Sequence, residues 1–410
     1  MGVAVAPTDL ALEARHSRAS SRRRIRALLL VSPLLLFLVV TFFWPLTRVL
    51  SYSVTDSELG TALPRTASLL KAWQPSALPG EQLVAEFGRE LRGASASGSL
   101  SGLANRLNYD ISGFRSLLLK TGRQLGDQQP ALLADLVQID PRWNEIRYWA
   151  SMRQAAGPYT SYYLLAALDR RLEPGGEIVQ TDESQRIFVK VLLRTFWVGL
   201  IVTAACLALG YPLAYFIAHA SARTATWLIA LVLLPFWTSV LVRTTAWAVL
   251  LQREGAVNDL LRAVGLISEP LQMIYNRTGV YIAMTHVLLP FMVLPLYGVM
   301  RGIPPSSTRA ALSLGATPSV AFRRVYLPQS MPGVTAGCLL VFILALGFYV
   351  TPALMGGADD QLVSFFIAFY TNETLNWGMA AALSSILLLV TLLLYGAYHW
   401  IGGTSRTRWS

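Results

Sequence analysis

The sequence predicts an all-α membrane protein of six transmembrane helices, with a mainly helical external domain inserted between the first and second spans. Three observations carry this. The chain of 410 residues is 54% apolar and 14% charged, with a mean hydropathy of +0.47, whereas a soluble domain carries about 25% charge. Six stretches are apolar enough over roughly 20 residues to cross a bilayer. One long segment, 51–186, departs from them by holding 15 of the 23 acidic residues beside 14 basic ones.

The first span is placed at 27–50, where 27–47 contains no charge. The others are 191–218, 225–250, 279–300, 333–351 and 378–401, the last five forming a core over 187–401. Arg194 and Arg243 stand near span ends, where a long side chain can reach the headgroups. Basic residues in short loops set orientation. Segment 1–26 carries Arg15, Arg18, Arg22, Arg23, Arg24 and Arg26 and is expected to be cytoplasmic. Alternation then puts 51–186 outside, the basic loop 302–332 inside, and the tail 402–410, with Arg406 and Arg408, inside as well. The first apolar run is too long for a cleaved signal peptide.

Within 51–186, apolar residues recur at helical spacing: Leu83, Val84, Phe87 and Leu91; Phe114, Leu117 and Leu118; Trp149 and Met152; Tyr162, Leu165 and Leu168. A Gly- and Ser-rich stretch over 93–99 is expected to separate two of these helices. The segment reads as an accessory module with its own modest core, so that removing about residues 60–180 should leave the spans intact.

Several chemistries are excluded. Cys206 and Cys338, the two cysteines, lie in apolar runs and make neither a disulfide framework nor a thiolate metal site. His16, His219, His286 and His399 lack zinc-ligand spacing. None of Lys71, Lys120 and Lys190 follows a glycine, so no phosphate-cradling P-loop exists. A membrane-embedded enzyme would need a nucleophile–base pair or a metal motif inside the spans, and neither is present. No cofactor, metal or nucleic acid is expected on this chain.

The most informative loop joins the fourth and fifth spans. Ser306 or Ser307 can cap a first short helix, which Gly315 ends by taking a left-handed conformation. Thr317 then caps a second helix with Pro318 at its first position, carrying Val320, Phe322, Arg323 and Tyr326 before Leu327-Pro328 stops it. Two capped helices at an angle, with an apolar face, form an elbow suited to a groove on another protein.

The pattern Arg309-Ala310-Ala311, Gly315 and Leu327-Pro328 resembles the coupling loop of the membrane-spanning subunits of ABC importers, in which a glutamate usually stands where this chain has Arg309. Leu209-Gly-Tyr-Pro-Leu-Ala-Tyr215, Leu234-Pro-Phe-Trp-Thr-Ser239 and Leu346-Gly-Phe-Tyr-Val-Thr-Pro352 are similar to the first permease of spermidine/putrescine-type importers. The resemblance covers about residues 27–50 and 187–401 and leaves the insert without a counterpart. It implies a type I ABC importer permease fold, half of a translocation path for a polyamine or another small solute such as an organic anion, and a bacterial inner-membrane location. It also implies an ATPase dimer inside, holding ATP and magnesium, a second similar permease, a periplasmic binding protein and surrounding lipid. Arg309, Ala310, Ala311, Gly315, Phe322, Arg323, Leu327 and Pro328 would then couple to the ATPase.

Candidates for lining the path are Trp237, Thr238, Arg243, Phe348, Tyr349 and Thr351. Aromatic faces and carboxylates are what an amine needs. No acid lies inside a span, and the nearest, Glu254 and Asp259, fall at the outer edge.

Overall fold

A computed structural model describes residues 30–125, 132–173, 177–183 and 186–403. The basic segment 1–26 and the tail beyond 403 lie outside the described residues. The chain divides into two compact units, one ending at Tyr52 and one beginning at Ser53.

The first unit is a single helix, α1 (Leu30–Ser51), apolar and exposed on every face, a surface that only lipid or another apolar partner satisfies. Pro45 has no N–H and would crowd the preceding turn. A wider π-helical turn at Val39–Phe43 precedes it and opens the space.

The second unit begins with eight short helices: α2 (Glu58–Ala62), α3 (Pro64–Ala72), α4 (Glu81–Ser97), α5 (Leu100–Asp110), α6 (Phe114–Gln124), α7 (Leu133–Ile139), α8 (Ile146–Gln154) and α9 (Tyr162–Ala166). An antiparallel pair, β1 (Arg170–Leu172) and β2 (Ile178–Gln180), follows, with Arg171 opposite Val179. The expected residues from Leu83 to Met152 close this core, whereas Tyr162 packs in a separate cluster with Tyr163 and Phe188, and Leu165 is only half-buried. Phe87, Trp143 and Trp149 meet pairwise with centroids 5.1–5.2 Å apart, and both indole N–H groups are satisfied, by Thr121 Oγ1 and the Trp143 carbonyl. Such an arrangement gains edge-to-face attraction beyond area burial. The Gly-rich stretch over 93–99 separates two helices as expected, but only at its end: α4 runs through Gly93 because Ala94 packs in the core, and stops at Gly98, two residues before α5. One expectation needs correction, because Leu168 is 43% exposed and takes no part in that core.

The insert is also fastened to the helices that follow it. Asp169 accepts hydrogen bonds from the backbone N–H groups of Ile187, Phe188 and Val189, at 3.2, 3.0 and 2.8 Å. It thereby caps α10 (Phe188–His219). Tyr163 of α9 packs against Gly378 of α19 (Trp377–Gly403), where any Cβ would overlap its ring. A purely accessory module would do neither, so deleting about 60–180 strips contacts from the ends of two long helices.

The remainder consists of α11 (Ala222–Leu233), α12 (Val240–Leu250), α13 (Ala256–Ala263), α14 (Arg277–Arg301), α15 (Pro305–Ser313), α16 (Pro318–Leu346), α17 (Val350–Met355) and α18 (Val363–Asn372). Helices α10, α14 and α16 form the centre. Gly337 of α16 leaves no room for a Cβ against Met292 of α14, the small-residue contact that lets membrane helices approach closely. Including α1, five described helices are long and apolar enough to span a bilayer. The sixth expected span, 225–250, is not straight: α11 continues as a 3₁₀ turn over Leu234–Trp237, then bends 97° into α12. Pro235 sits in that turn and the Ser239 hydroxyl caps α12, accepting from Val242 N–H. The six-span count therefore holds only with this bent pair taken as one span.

Candidate functional site: a docking elbow and a broken-helix cluster

The elbow comprises α15 and the start of α16. Helix α15 ends as expected. Gly315 adopts φ +86°, and its N–H donates to Leu312 O while Ala316 N–H donates to Ala311 O. This paired closure returns two otherwise orphaned carbonyls to use. No side chain crowds Gly315, so its requirement is conformational. The helix begins at Pro305, which places Ser306 and Ser307 inside its first turn and not at the cap. Thr317 does occupy the cap position of α16, with Pro318 next, but its hydroxyl faces Ser319 Oγ and not a backbone N–H.

Leu327-Pro328 does not stop the second helix. The chain passes from Pro318–Ala321 through a π-helical turn at Phe322–Tyr326 and continues unbroken to Leu346. The widened turn removes the clash that Pro328 would otherwise make with the carbonyl four residues earlier, the device already used before Pro45. Arg309, Ala310, Arg323 and Pro328 are exposed, and Ala311, Phe322 and Leu327 are half-buried. Leu314 at the apex is 89% exposed. The elbow thus exposes an apolar residue and three arginines, Arg309, Arg323 and Arg324, none of which is in an ion pair among the described residues.

Aromatic packing ties the elbow to α10. Tyr326 lies 5.1 Å from Tyr215 and stacks on Phe322, and Tyr211 shares a 2.9 Å hydrogen bond with Ser330. The Tyr326 hydroxyl is buried with no hydrogen-bond partner among the described residues. The sequence singles out Phe322 and Tyr326, and Tyr211 and Tyr215 only as part of a family resemblance; it does not show that these tyrosines pack on the elbow or that Ser330 joins them. The four-residue spacing of Tyr211, Tyr215 and His219 on one helix face was the available signal.

Of the path candidates, Trp237, Thr238 and Arg243 lie at or just after the bend. Trp237 is 91% exposed, and Thr238 donates to Pro235 O at 3.0 Å. Arg243 follows on α12, its Nε buried without a hydrogen-bond partner among the described residues. Trp247 Nε1 donates to His286 Nδ1 at 3.0 Å, and His286 borders an apolar cavity of about 180 Å³ with Pro235 and Pro290. Thr351 is fully buried and shares a 2.9 Å hydrogen bond with Thr244, binding α17 to α12. Phe348 and Tyr349 occupy the interruption between α16 and α17, half-buried and exposed respectively. Glu254 is exposed before α13, and Asp259 pairs with Arg262 at 2.7 Å. Arg194 donates to Gln361 O at 3.0 Å, a structural tether at the end of α10.

A broken apolar helix beside a packed three-helix core, with a capped elbow at one end, defines a membrane-spanning transport subunit. The family of binding-protein-dependent transport system inner membrane components matches residues 187–405, and the chain belongs to it. It is the multi-pass inner-membrane permease of an ABC importer. The spermidine/putrescine transport system permease protein PotB of Escherichia coli (strain K12) is 36% identical over 212 residues, covering 52% of this chain and 77% of that protein. PotB of Haemophilus influenzae is 35% identical over 213 residues, covering 52% and 74%. The molybdenum transport system permease protein ModB of Mycobacterium bovis is 30% identical over 208 residues, covering 50% and 77%. The insert lies outside the family match.

Proposed function

We propose that this chain forms half of the translocation path of an ATP-driven importer for a polyamine of the spermidine/putrescine class. The observation that carries the substrate class is its 36% identity to PotB. Two candidate aromatic residues, Trp237 at the bend and Tyr349 between α16 and α17, are exposed and suit an organic cation.

In this reading the elbow around Arg309–Pro328 docks on an ATPase dimer that holds ATP and magnesium, while this chain binds no cofactor. A second permease completes the path, and a periplasmic binding protein delivers solute to the side bearing the insert. Both termini are cytoplasmic. A specific observation favours one alternative: Arg243, with its unpartnered Nε at the bend, would suit an organic anion.

Uptake of radiolabelled spermidine, putrescine and an organic dianion, in cells lacking their own polyamine importers and given this transporter's genes, decides the matter. Polyamine uptake is expected. Dianion uptake alone would replace the polyamine reading, and loss of ATPase co-purification would remove the elbow assignment.

A further inference from the structure

The insert contains a cavity of about 650 Å³ between α5, α8, the start of α9 and the β-hairpin, within the size range of small-molecule sites. Its floor is the buried Arg106. That guanidinium bonds Asp56 and Asp110, both at 2.6 Å, and lies 4.3 Å from the centroid of the Tyr162 ring. Asp110 also accepts from Ser151 at 2.9 Å. Two carboxylates and an aromatic face thus already hold one cation at the base of the cavity. Burial raises the Asp110 carboxyl, opposed by its Arg106 contact, and burial likewise raises Glu58, with Asp56 adding to the rise and Arg106 opposing it.

The two arginines lining the mouth are both paired, Arg171 with Asp182 of the same lining at 3.1 Å and Arg147 with Glu145, outside it, at 2.6 Å. Glu173 is exposed on the rim and is in no ion pair among the described residues. Tyr159, which lines the same cavity, leaves 76% of its surface open. A carboxylate in no ion pair and an open aromatic face on one cavity are together the complement of a single ammonium group.

We propose that this cavity is a second solute site, outside the permease core, that binds an organic ammonium with Glu173 as counter-ion and Tyr159 as the aromatic face. Its position gives such binding a route to the core, because Tyr162 lines the cavity while Tyr163, the next residue, packs against Gly378 of α19. The proposal deepens the amine reading and rests on it only for the choice of probe.

The test is isothermal titration of the full-length protein in nanodiscs with putrescine and, separately, with citrate. Saturable putrescine binding at one per chain is expected, with none for citrate. Glu173→Gln and Tyr159→Ala should each weaken it about two- to fivefold, and Glu269→Gln, on an exposed position elsewhere, should not. Absence of putrescine binding, binding indifferent to both cavity variants, or citrate binding in its place would overturn the proposal. Labelled spermidine uptake measured in parallel separates the two readings. Uptake without cavity binding removes this site and leaves the transport reading, and cavity binding without uptake does the reverse.

Discussion

Replacing Asp169 with alanine tests whether the insert holds the permease core. Its carboxylate receives the N–H groups of Ile187, Phe188 and Val189. Ile187 and Val189 are exposed, so water can replace those two bonds, whereas Phe188 is buried. Losing a helix cap costs about 1 kcal/mol, and a buried N–H left unpaired adds about 2 kcal/mol. The expected destabilisation is about 3 kcal/mol. Asp169→Asn, which tolerates the residue's φ of +56° and keeps one acceptor oxygen, should lose about half of that. The two cysteines make the assay direct: Cys206 and Cys338 lie in α10 and α16, so a thiol-reactive dye reports opening of the helix core on heating. At this size a shift of about 3–6 °C is expected for the alanine variant. A wild-type melting curve for Asp169→Ala would refute the claim that the insert caps α10.

Three further outcomes are expected. Gly315→Val forces a β-branched residue to φ +86°, at about 1–2 kcal/mol, and should leave membrane insertion normal while lowering solute uptake per ATP hydrolysed; an unchanged ratio counts against the elbow as coupler. Gly378→Leu drives a side chain into the Tyr163 ring and should lower the dye-detected melting point, with Tyr163→Ala in the same chain restoring part of it. Asp140 is held well below the usual carboxylate range by hydrogen bonds from Arg142, with Lys120 adding to them. A depressed carboxyl contributes stability above its unfolded pKa and loses it as pH falls through the folded value. Asp140→Asn should therefore destabilise the insert at neutral pH and flatten the acid limb of its stability profile below about pH 4.

How much of this was legible in the sequence depended on how local each determinant is. Gly315 was readable because a glycine after a short helical pattern has one common structural use, and the structure realises it. Pro328 was misread because a helix stop and a π turn before a proline look alike in sequence, and only the continuing fit of α16 against α14 separates them. The 97° bend was signalled only by Pro235, one of several prolines in the spans able to kink a helix, and its angle was not legible, since hydropathy reports burial in lipid and not direction. Asp169 could not be found at all. Its bonding partners lie 18–20 residues further on, and nothing local marks an aspartate that caps a helix across a hairpin.

The fusion of the elbow's second helix with α16 has a mechanical consequence. A rod of 29 residues is about 44 Å long, and one close approach along it, Gly337 against Met292, lies nearer its far end. Pushed at Phe322, about 22 Å from that fulcrum, such a lever swings Leu346, about 14 Å beyond it, in the opposite sense and through roughly two-thirds of the distance. Spin-label pairs at the two ends would then report anticorrelated displacements, and parallel ones would mean that the rod slides without pivoting.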